Sequence, residues 1–459
     1  MDIELLIKKS YVKKSLKTLA FSVVVTLFVG CGKKSNSDLP NVDSYPVAEI
    51  SEGLAQAAQT YSEVSVFHDS LAIVKGAASY GVIDRNGNLV IPCEYTALEP
   101  CGKFFYACQF KNSWGVIDRT GKVLVPCRNE KDDVIVYPNE GYIRCIEKDN
   151  YGYYSEPYFI DFNGKRLSAP RYDKSAIFFN GIAMVSKYKG STMCENFYFI
   201  DKQGKEVMKV VKNGDVFGVV DTSGKEVVPF KFKSIDCYDS GYLLVTGMNH
   251  LDGIWDIKDG KEIVAPMYGI VTCDNSELGC KTFIKDSIII VRRGSNYGAI
   301  NTDGKEIVPC TYRFAQVKNG LVEVTQGEGI FSRMKGVFDQ EGNELLKCEY
   351  YIVEIDKNSI IAEKMEDDLS SMQTFLYDHK GNLITKVGAS GEIRHFSEGM
   401  AAVKKDKDKG FGFYDYDGDE VIAPRYEDAG IFSEGLAPVK LNGKWGYVNR
   451  KGVDTFGNR

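Results

Sequence analysis

From residue 61 onward, apolar and polar positions alternate in short β-branched runs cut by Gly and by Asp or Asn. YGVIDRNGNLVIP at 80–92, FGVVDTSGKEVVP at 217–229 and YGAINTDGKEIVP at 297–309 show the pattern. Period-two runs on either side of a Gly-bearing turn predict hairpins, and no stretch sustains the 3.6-residue apolar period of an amphipathic helix. The expectation is an all-β chain with almost no helix.

The shared frame is Gly-x-x-(Asp/Asn)-x-x-Gly. Its Asp or Asn falls at 84, 118, 161, 201, 221, 256, 301, 339, 378, 415 and 449. From Gly87 to Gly452 is 365 residues in ten steps, about 36 each, a period that marks an array of supersecondary units. Asp84 with Gly87, Asp118 with Gly121, Asp221 with Gly224, Asn301 with Gly304, Asp415 with Gly418 and Asn449 with Gly452 are the clearest structural turn pairs. An Asx side chain accepts a backbone N–H two residues on, and Gly takes the positive φ that closes the turn. Downstream the units continue as Tyr, Phe, then Gly-Leu-Ala-x-Val, seen at Tyr426, Phe432, Gly435, Leu436, Ala437 and Val439. The predicted fold is a tandem of about eleven short antiparallel β-units, propeller-like or an open superhelical β-solenoid. Eleven turns exceed the roughly four to eight blades of a single propeller, which favours an open array or two subdomains. Gly204 and Gly224 are only 20 residues apart, so half a unit is missing there and a seam is expected near 208–214.

With Gly443-Lys444-Trp445-Gly446 as its plainest match and Trp114-Gly115 as another, the chain over 61–459 resembles the WG-repeat (KWG-repeat) family of bacterial proteins. Tyr80, Phe217, Tyr297 and Phe411 stand for Trp in other copies, and Tyr158, Tyr198 and Phe375 for Gly. The resemblance implies an all-β scaffold, common on exported proteins, and carries over no catalytic residue.

The first 30 residues differ in kind. Lys8, Lys9, Lys13, Lys14 and Lys17 precede an apolar run from Leu19 to Val29, too short to span a bilayer core, and Gly30-Cys31 follows. Phe28-Val29-Gly30-Cys31 resembles a bacterial lipobox. It implies a lipoprotein signal peptide over 1–30, lipidation at Cys31 and a location in the bacterial cell envelope, anchored through the lipid. Residues 31–60 read as a tether, with the repeat array from 61 to 459. The formal charge of −6 becomes −9 once that basic segment is gone, which argues against nucleic acid.

Candidate chemistry is thin. Of the 12 cysteines, Cys93, Cys127, Cys310 and Cys348 share a slot that other units fill with Phe230, Pro170, Pro266 and Pro424, a packing position. Cys101/Cys108 and Cys273/Cys280 are seven apart, and each pair is either a hairpin disulfide or two buried thiols. His68, His250, His379 and His395 occupy non-equivalent slots with no nucleophile context and read as exposed or loop residues. Asp415, Asp417 and Asp419 alternate like a calcium loop, but Gly418 is fourth rather than sixth, so a hairpin turn accounts for them. No metal, cofactor or catalytic residue is expected. Phe104, Phe105 and Tyr106, with Tyr151, Tyr153, Tyr154 and Tyr158, lie outside the frame and are candidates for a stacking surface. The function expected is a non-enzymatic, envelope-anchored scaffold for protein–protein binding. The alternatives are a module for carbohydrate or cell-wall polysaccharide such as peptidoglycan, and an enzyme without a recognisable motif.

Overall fold

The computed structural model describes residue 45 and residues 47–457, apart from short segments at 102–103, 111–112, 127–134, 147–157, 168–173, 176–177, 179, 187–196, 238–241, 272, 276–279, 283, 328–332, 366–370, 389–390 and 406–408. Antiparallel sheets follow one another along the chain. A typical one runs Glu63–Val64, Leu71–Lys75, Tyr80–Asp84, Leu89–Tyr95, each strand paired with the next. The same plan recurs at 97–125, 314–350, 352–387 and 392–426, while the described parts of 135–161 and 428–449 hold three strands each.

Two places depart from it. Residues 174–232 form a six-stranded sheet, in which Glu206–Asn213 pairs with Phe197–Asp201 on one side and Val216–Asp221 on the other. The expected seam at 208–214 is therefore the middle of a sheet. One strand serves as the last of one unit and an inner strand of the next, which is how the chain dispenses with half a unit. The path 234–312 folds in two at Lys261–Ile270, whose first part pairs with Asp252–Asp256 and whose end pairs with Ile288–Arg293. Taken as units 1 to 10, the sheets begin at residues 63, 97, 135, 174, 234, 269, 314, 352, 392 and 428.

Each unit is too thin to bury both faces alone, so the core lies between units. Val82, Ile91 and Tyr95 of unit 1 meet Leu98, Phe105 and Ile117 of unit 2. Leu321, Val337 and Tyr350 of unit 7 meet Val353, Ile360 and Phe375 of unit 8. There are ten such clusters for the ten units. An open row of ten has nine junctions. The tenth cluster joins Leu436 and Tyr447 of unit 10 to Val64, Phe67, Val74 and Ile83 of unit 1. The array thus closes into a ring, correcting the leaning towards an open array or two subdomains. Among the described residues no sheet pairs back onto itself, so none of them forms a closed barrel. The closing contact repeats the interior one. Ala97–Cys101 lies on Tyr80–Asp84, and in the same way Glu63–Val64 lies on Lys444–Asn449.

The ring begins before residue 61. Ser51 caps a helix, Glu52–Ala58, by accepting from the Leu54 N–H at 3.0 Å, and Leu54 and Ala58 are fully buried in the closing cluster. The C-terminal part of the expected tether is therefore folded. Antiparallel order also gives the ring two faces. Turns joining the first to second and third to fourth strands lie on one face. Second-to-third turns and the connections to the next unit lie on the other.

Candidate functional site

The Trp-Gly slot is a packing device. The pairing slips there, from Tyr80 opposite Tyr95 to Val82 opposite Ile91, so Pro92, Cys93 and Glu94 of the fourth strand bulge opposite the single residue Gly81. A Cβ added to Gly81 would lie 2.6 Å from the Ile91 carbonyl oxygen and 2.8 Å from Cys93 Sγ; at Gly298 the distances are 2.5 Å to Val308 and 2.9 Å to Cys310. Gly336 meets Leu346 and Cys348, and Gly412 meets Ile422 and Pro424, in the same manner. The Cys slot therefore covers a glycine. Burial raises the Cys93 and Cys310 thiols and lifts Cys348 to about 11, so these sulfurs are protonated at neutral pH. Cys127 lies outside the described residues. The aromatic of the slot sits under a cation from the preceding strand, Lys75 at 5.1 Å from the Tyr80 ring and Lys440 at 5.9 Å from Trp445. Gly115 and Gly446 are buried, and Trp114 lies opposite Cys108.

Ten of the eleven Asx turns are uniform, and Asp256, whose Gly260 comes four residues later, accepts instead from Lys258 and Asp259. Asp84 Oδ1 accepts from the N–H of Asn86 at 2.8 Å and of Asn88 at 2.9 Å, and Gly87 has φ +83°. Asp118, Asp221, Asn301, Asp415 and Asn449 make the same pair of bonds, with Gly121, Gly224, Gly304, Gly418 and Gly452 at φ from +80° to +86°. At Asp84 and Asp118 burial pushes the carboxyl up, but hydrogen bonds prevail and hold it below its usual range. The Ser223 hydroxyl does the same for Asp221. Asp417 and Asp419 only donate backbone N–H groups to Asp415, as a hairpin turn requires.

On this face the turns of neighbouring units clasp one another, which sequence reasoning missed. An acidic residue in the first-to-second turn of one unit receives a cation from the Asx turn of the next. Glu434 takes Arg85 at 2.8 Å and the Ser70 N–H at 3.1 Å; Asp69 takes Arg119 at 2.8 Å; Glu140 takes Lys202 at 3.3 Å and the N–H groups of Asn180 and Gly181. Glu398 accepts the Gly435 N–H at 2.8 Å, while Arg450 donates to its carbonyl. Asp69, Glu140, Glu398 and Glu434 all hold φ between +48° and +54°, as two-residue hairpin turns demand. The signal was present in the cation that follows four of the turn Asx residues, in Asp84-Arg85, Asp118-Arg119, Asp201-Lys202 and Asn449-Arg450, but its partner lies a unit away.

Between units 8 and 9 the same slots hold different chemistry. Ser359 occupies the position of Leu71, Leu321 and Leu436, yet is fully buried. Its hydroxyl donates to Asp356 Oδ1 at 3.3 Å, lies 3.1 Å from His395 Nδ1 and accepts the Phe396 N–H at 2.9 Å. Asp356 Oδ2 is 3.5 Å from the same His395 nitrogen, and its carbonyl accepts from His379 Nε2. Burial holds His379 below its usual pKa, although Asp356 and Asp378 oppose this. Tyr416 stacks on Phe396 at 4.1 Å, and burial raises its hydroxyl to about 12. His379 and His395 are therefore gathered into one polar cluster, against the expectation of scattered loop histidines. Ser359 and Asp356 address one nitrogen, so the trio lacks the relay through both ring nitrogens that a nucleophilic triad uses.

Other candidates fall elsewhere. Phe104 and Phe105 are 8% exposed and belong to the core, which removes them from any stacking surface. Tyr158 is half-buried beneath Arg166 at 4.2 Å; Tyr151, Tyr153 and Tyr154 lie outside the described residues, as do Cys31 and the signal segment. His68 sits 3.5 Å from Asp69, beside a cleft lined by Ser65, Pro100, Phe105 and Arg119, and His250 is exposed beside Lys233. Cys101 faces Phe104 and Cys108 faces Ala97, four residues or about 13 Å apart along the strand, too far for a disulfide. Cys273 faces Thr282 while Cys280 faces Asn275, an offset of two residues. Among the described residues no group of three or more His, Cys, Asp or Glu could hold a metal ion, and no helix is long and apolar enough to cross a membrane.

The family described as WG containing repeat matches the chain at six places, 80–100, 114–130, 217–246, 297–328, 375–407 and 411–445. No curated protein matches it. Among solved structures, a eukaryotic initiation factor is similar at 9% identity and TM-score 0.38, covering 72% of this chain and 88% of that one. PorZ, a surface component of the type-IX secretion system of Porphyromonas gingivalis, is similar at 7% identity and TM-score 0.27, over 86% of this chain and 58% of its own. The dihydro-heme d1 dehydrogenase NirN is similar at 11% and 0.28, over 79% and 66%.

Proposed function

We propose, from the premise that this chain is an array of WG-family repeats, that it is a non-enzymatic, envelope-anchored scaffold that binds protein partners through one face of the ring. One observation carries the reading. The Asx turns and the turns that clasp them lie on one face, and most of the connections that vary in length lie on the other. The strands flanking 127–134, 147–157 and 187–196 all end on that second face, whereas 272–283 interrupts the first strand of unit 6 on its way to the clasped side. Loop length costs little, about 0.6 kcal/mol per doubling, so such connections can diverge while the ring keeps its frame. A carbohydrate-stacking surface has less support, because Phe104 and Phe105 are spent in the core. Anchoring rests on the lipobox at Cys31.

The test replaces residues 147–157, and separately 187–196, with short linkers in the full chain, and measures partners recovered by cross-linking in the native envelope. Partial loss with an unchanged melting temperature is expected. Silent replacements, together with loss of all activity on Asp356→Asn or His395→Ala, would point to a compact catalytic site and end the scaffold reading. Cys31→Ala should move the chain from the membrane to the soluble fraction.

A further inference from the structure

We propose that Tyr45 and residues 47–59 form a latch that holds the ring closed, so that closure depends on the segment preceding the first strand. At interior junctions the fourth strand of one unit covers the second strand of the next. Leu89–Tyr95 lies on Phe104–Phe110, Glu344–Tyr350 on Ser359–Met365, and Glu420–Tyr426 on Leu436–Leu441. Among the described residues unit 10 has three strands and no fourth of that length. Its fourth position is held by the short run 453–455, through a bridge from Val448 to Asp454, the Asn449 N–H donated to the Val453 carbonyl, the Thr455 N–H donated to Tyr447 at 2.9 Å and the Tyr447 N–H donated back to the Thr455 hydroxyl at 3.0 Å.

The helix Glu52–Ala58 adds the cover that this short run does not supply. It packs on Lys444–Asn449 and buries Leu54 and Ala58 in the cluster shared by units 1 and 10. Two glycines let it lie directly on the first Asx turn. A Cβ on Gly53 would be 2.4 Å from the Asn86 carbonyl oxygen, and one on Gly87 would be 2.5 Å from that of Gly53. The segment also grips the far side of the seam. Gln59 donates to the Thr455 carbonyl at 2.8 Å, Asn449 donates to that of Ala48 at 3.1 Å, and the Tyr45 ring lies 4.9 Å from the Arg450 guanidinium. A single short segment therefore contacts both the first and the last unit, where the fourth strand is reduced to a short run.

Hydrogen exchange on the full chain tests this with the double variant Leu54→Asp/Ala58→Asp. Amides in 63–75 and 436–449 should exchange roughly tenfold faster or more, with protection in 288–338 unchanged and a larger radius of gyration by solution scattering. The milder Gln59→Ala variant, which removes only the bond to the Thr455 carbonyl, should give the same pattern in smaller degree. Unchanged protection at both ends would overturn the proposal. So would equal loss across all units, because closure would then not be separable from the fold.

Discussion

The junctions on either side of unit 10 and the junction between units 8 and 9 use the same two turn positions and fill them oppositely. Where unit 10 meets unit 1, Glu434 pairs with Arg85, side chains 30% and 27% exposed and satisfied by one another; where it meets unit 9, the Glu398 carboxylate accepts the Gly435 N–H and its carbonyl accepts from Arg450. Between units 8 and 9 the corresponding region holds Asp356, Ser359, His379 and His395, buried enough to depress the His379 pKa. The backbone frame tolerates either filling because the ladders and Asx turns beneath are the same. What differs is sensitivity. A half-exposed ion pair is screened by salt and is worth about 0.2–1 kcal/mol, whereas a buried hydrogen-bonded hydroxyl leaves orphaned partners when removed.

The largest effect is expected on the clasped side, from the glycine behind Arg85. Gly121→Val should cost about 1–3 kcal/mol through positive φ alone, since its added Cβ meets only Ile91 side-chain atoms at 3.6 Å and beyond. Gly87→Val carries the same φ strain and also drives into Gly53 and Ala57, so denaturant unfolding should show roughly a further 1–3 kcal/mol. Equal losses at the two sites would remove the distinction between a turn under the helix and a free one.

Next in size is Ser359→Ala, which deprives the Phe396 N–H and Asp356 of their partner. A loss of about 1–3 kcal/mol is expected in chemical denaturation. A neutral or stabilising outcome would mean the slot is merely a leucine position occupied by a smaller residue.

The smallest effect separates the two regions by solvent. His379 is held below its ordinary value of 6.5, so the folded state resists its protonation. Its contribution is therefore present above pH 6.5 and is lost as pH falls through the folded pKa, because the unfolded chain binds the proton first. Exchange protection in 352–404 should fall with acid and respond little to salt. Around 434–449 it should fall by the small clasp increment when ionic strength is raised to about 1 M, where the Debye length is about 3 Å. A reversed pattern would break the comparison.

Much of the architecture was legible in the chain. The Asx and Gly of each turn act within five residues, so their spacing exposes them, and Asp84 with Gly87 could be read without any tertiary contact. Local alternation likewise announced the strands. The helix Glu52–Ala58 escaped because seven residues are too few to display a 3.6-residue period, although Ser51 before an Ala-rich run is an N-cap signal. Phe104 and Phe105 were read as surface because the frame has no slot for them, yet adjacent residues of a strand face opposite neighbours and each found its own core. The candidate site was largely illegible, since Asp356, Ser359, His379 and His395 come from turns of successive units that no periodicity links.

The amino-acid order by itself determined the repeated unit, its turns and the glycine over which each Cys, Pro or Phe packs, because those interactions span a few residues or one hairpin. Tertiary structure alone decided that ten units complete a circuit, that Glu206–Asn213 merges two units into one sheet, and that Glu434 meets Ser70 and Arg85. These outcomes depend on the small rotation accumulated at every junction and on contacts between residues some 350 positions apart, for which the local pattern carries no signal.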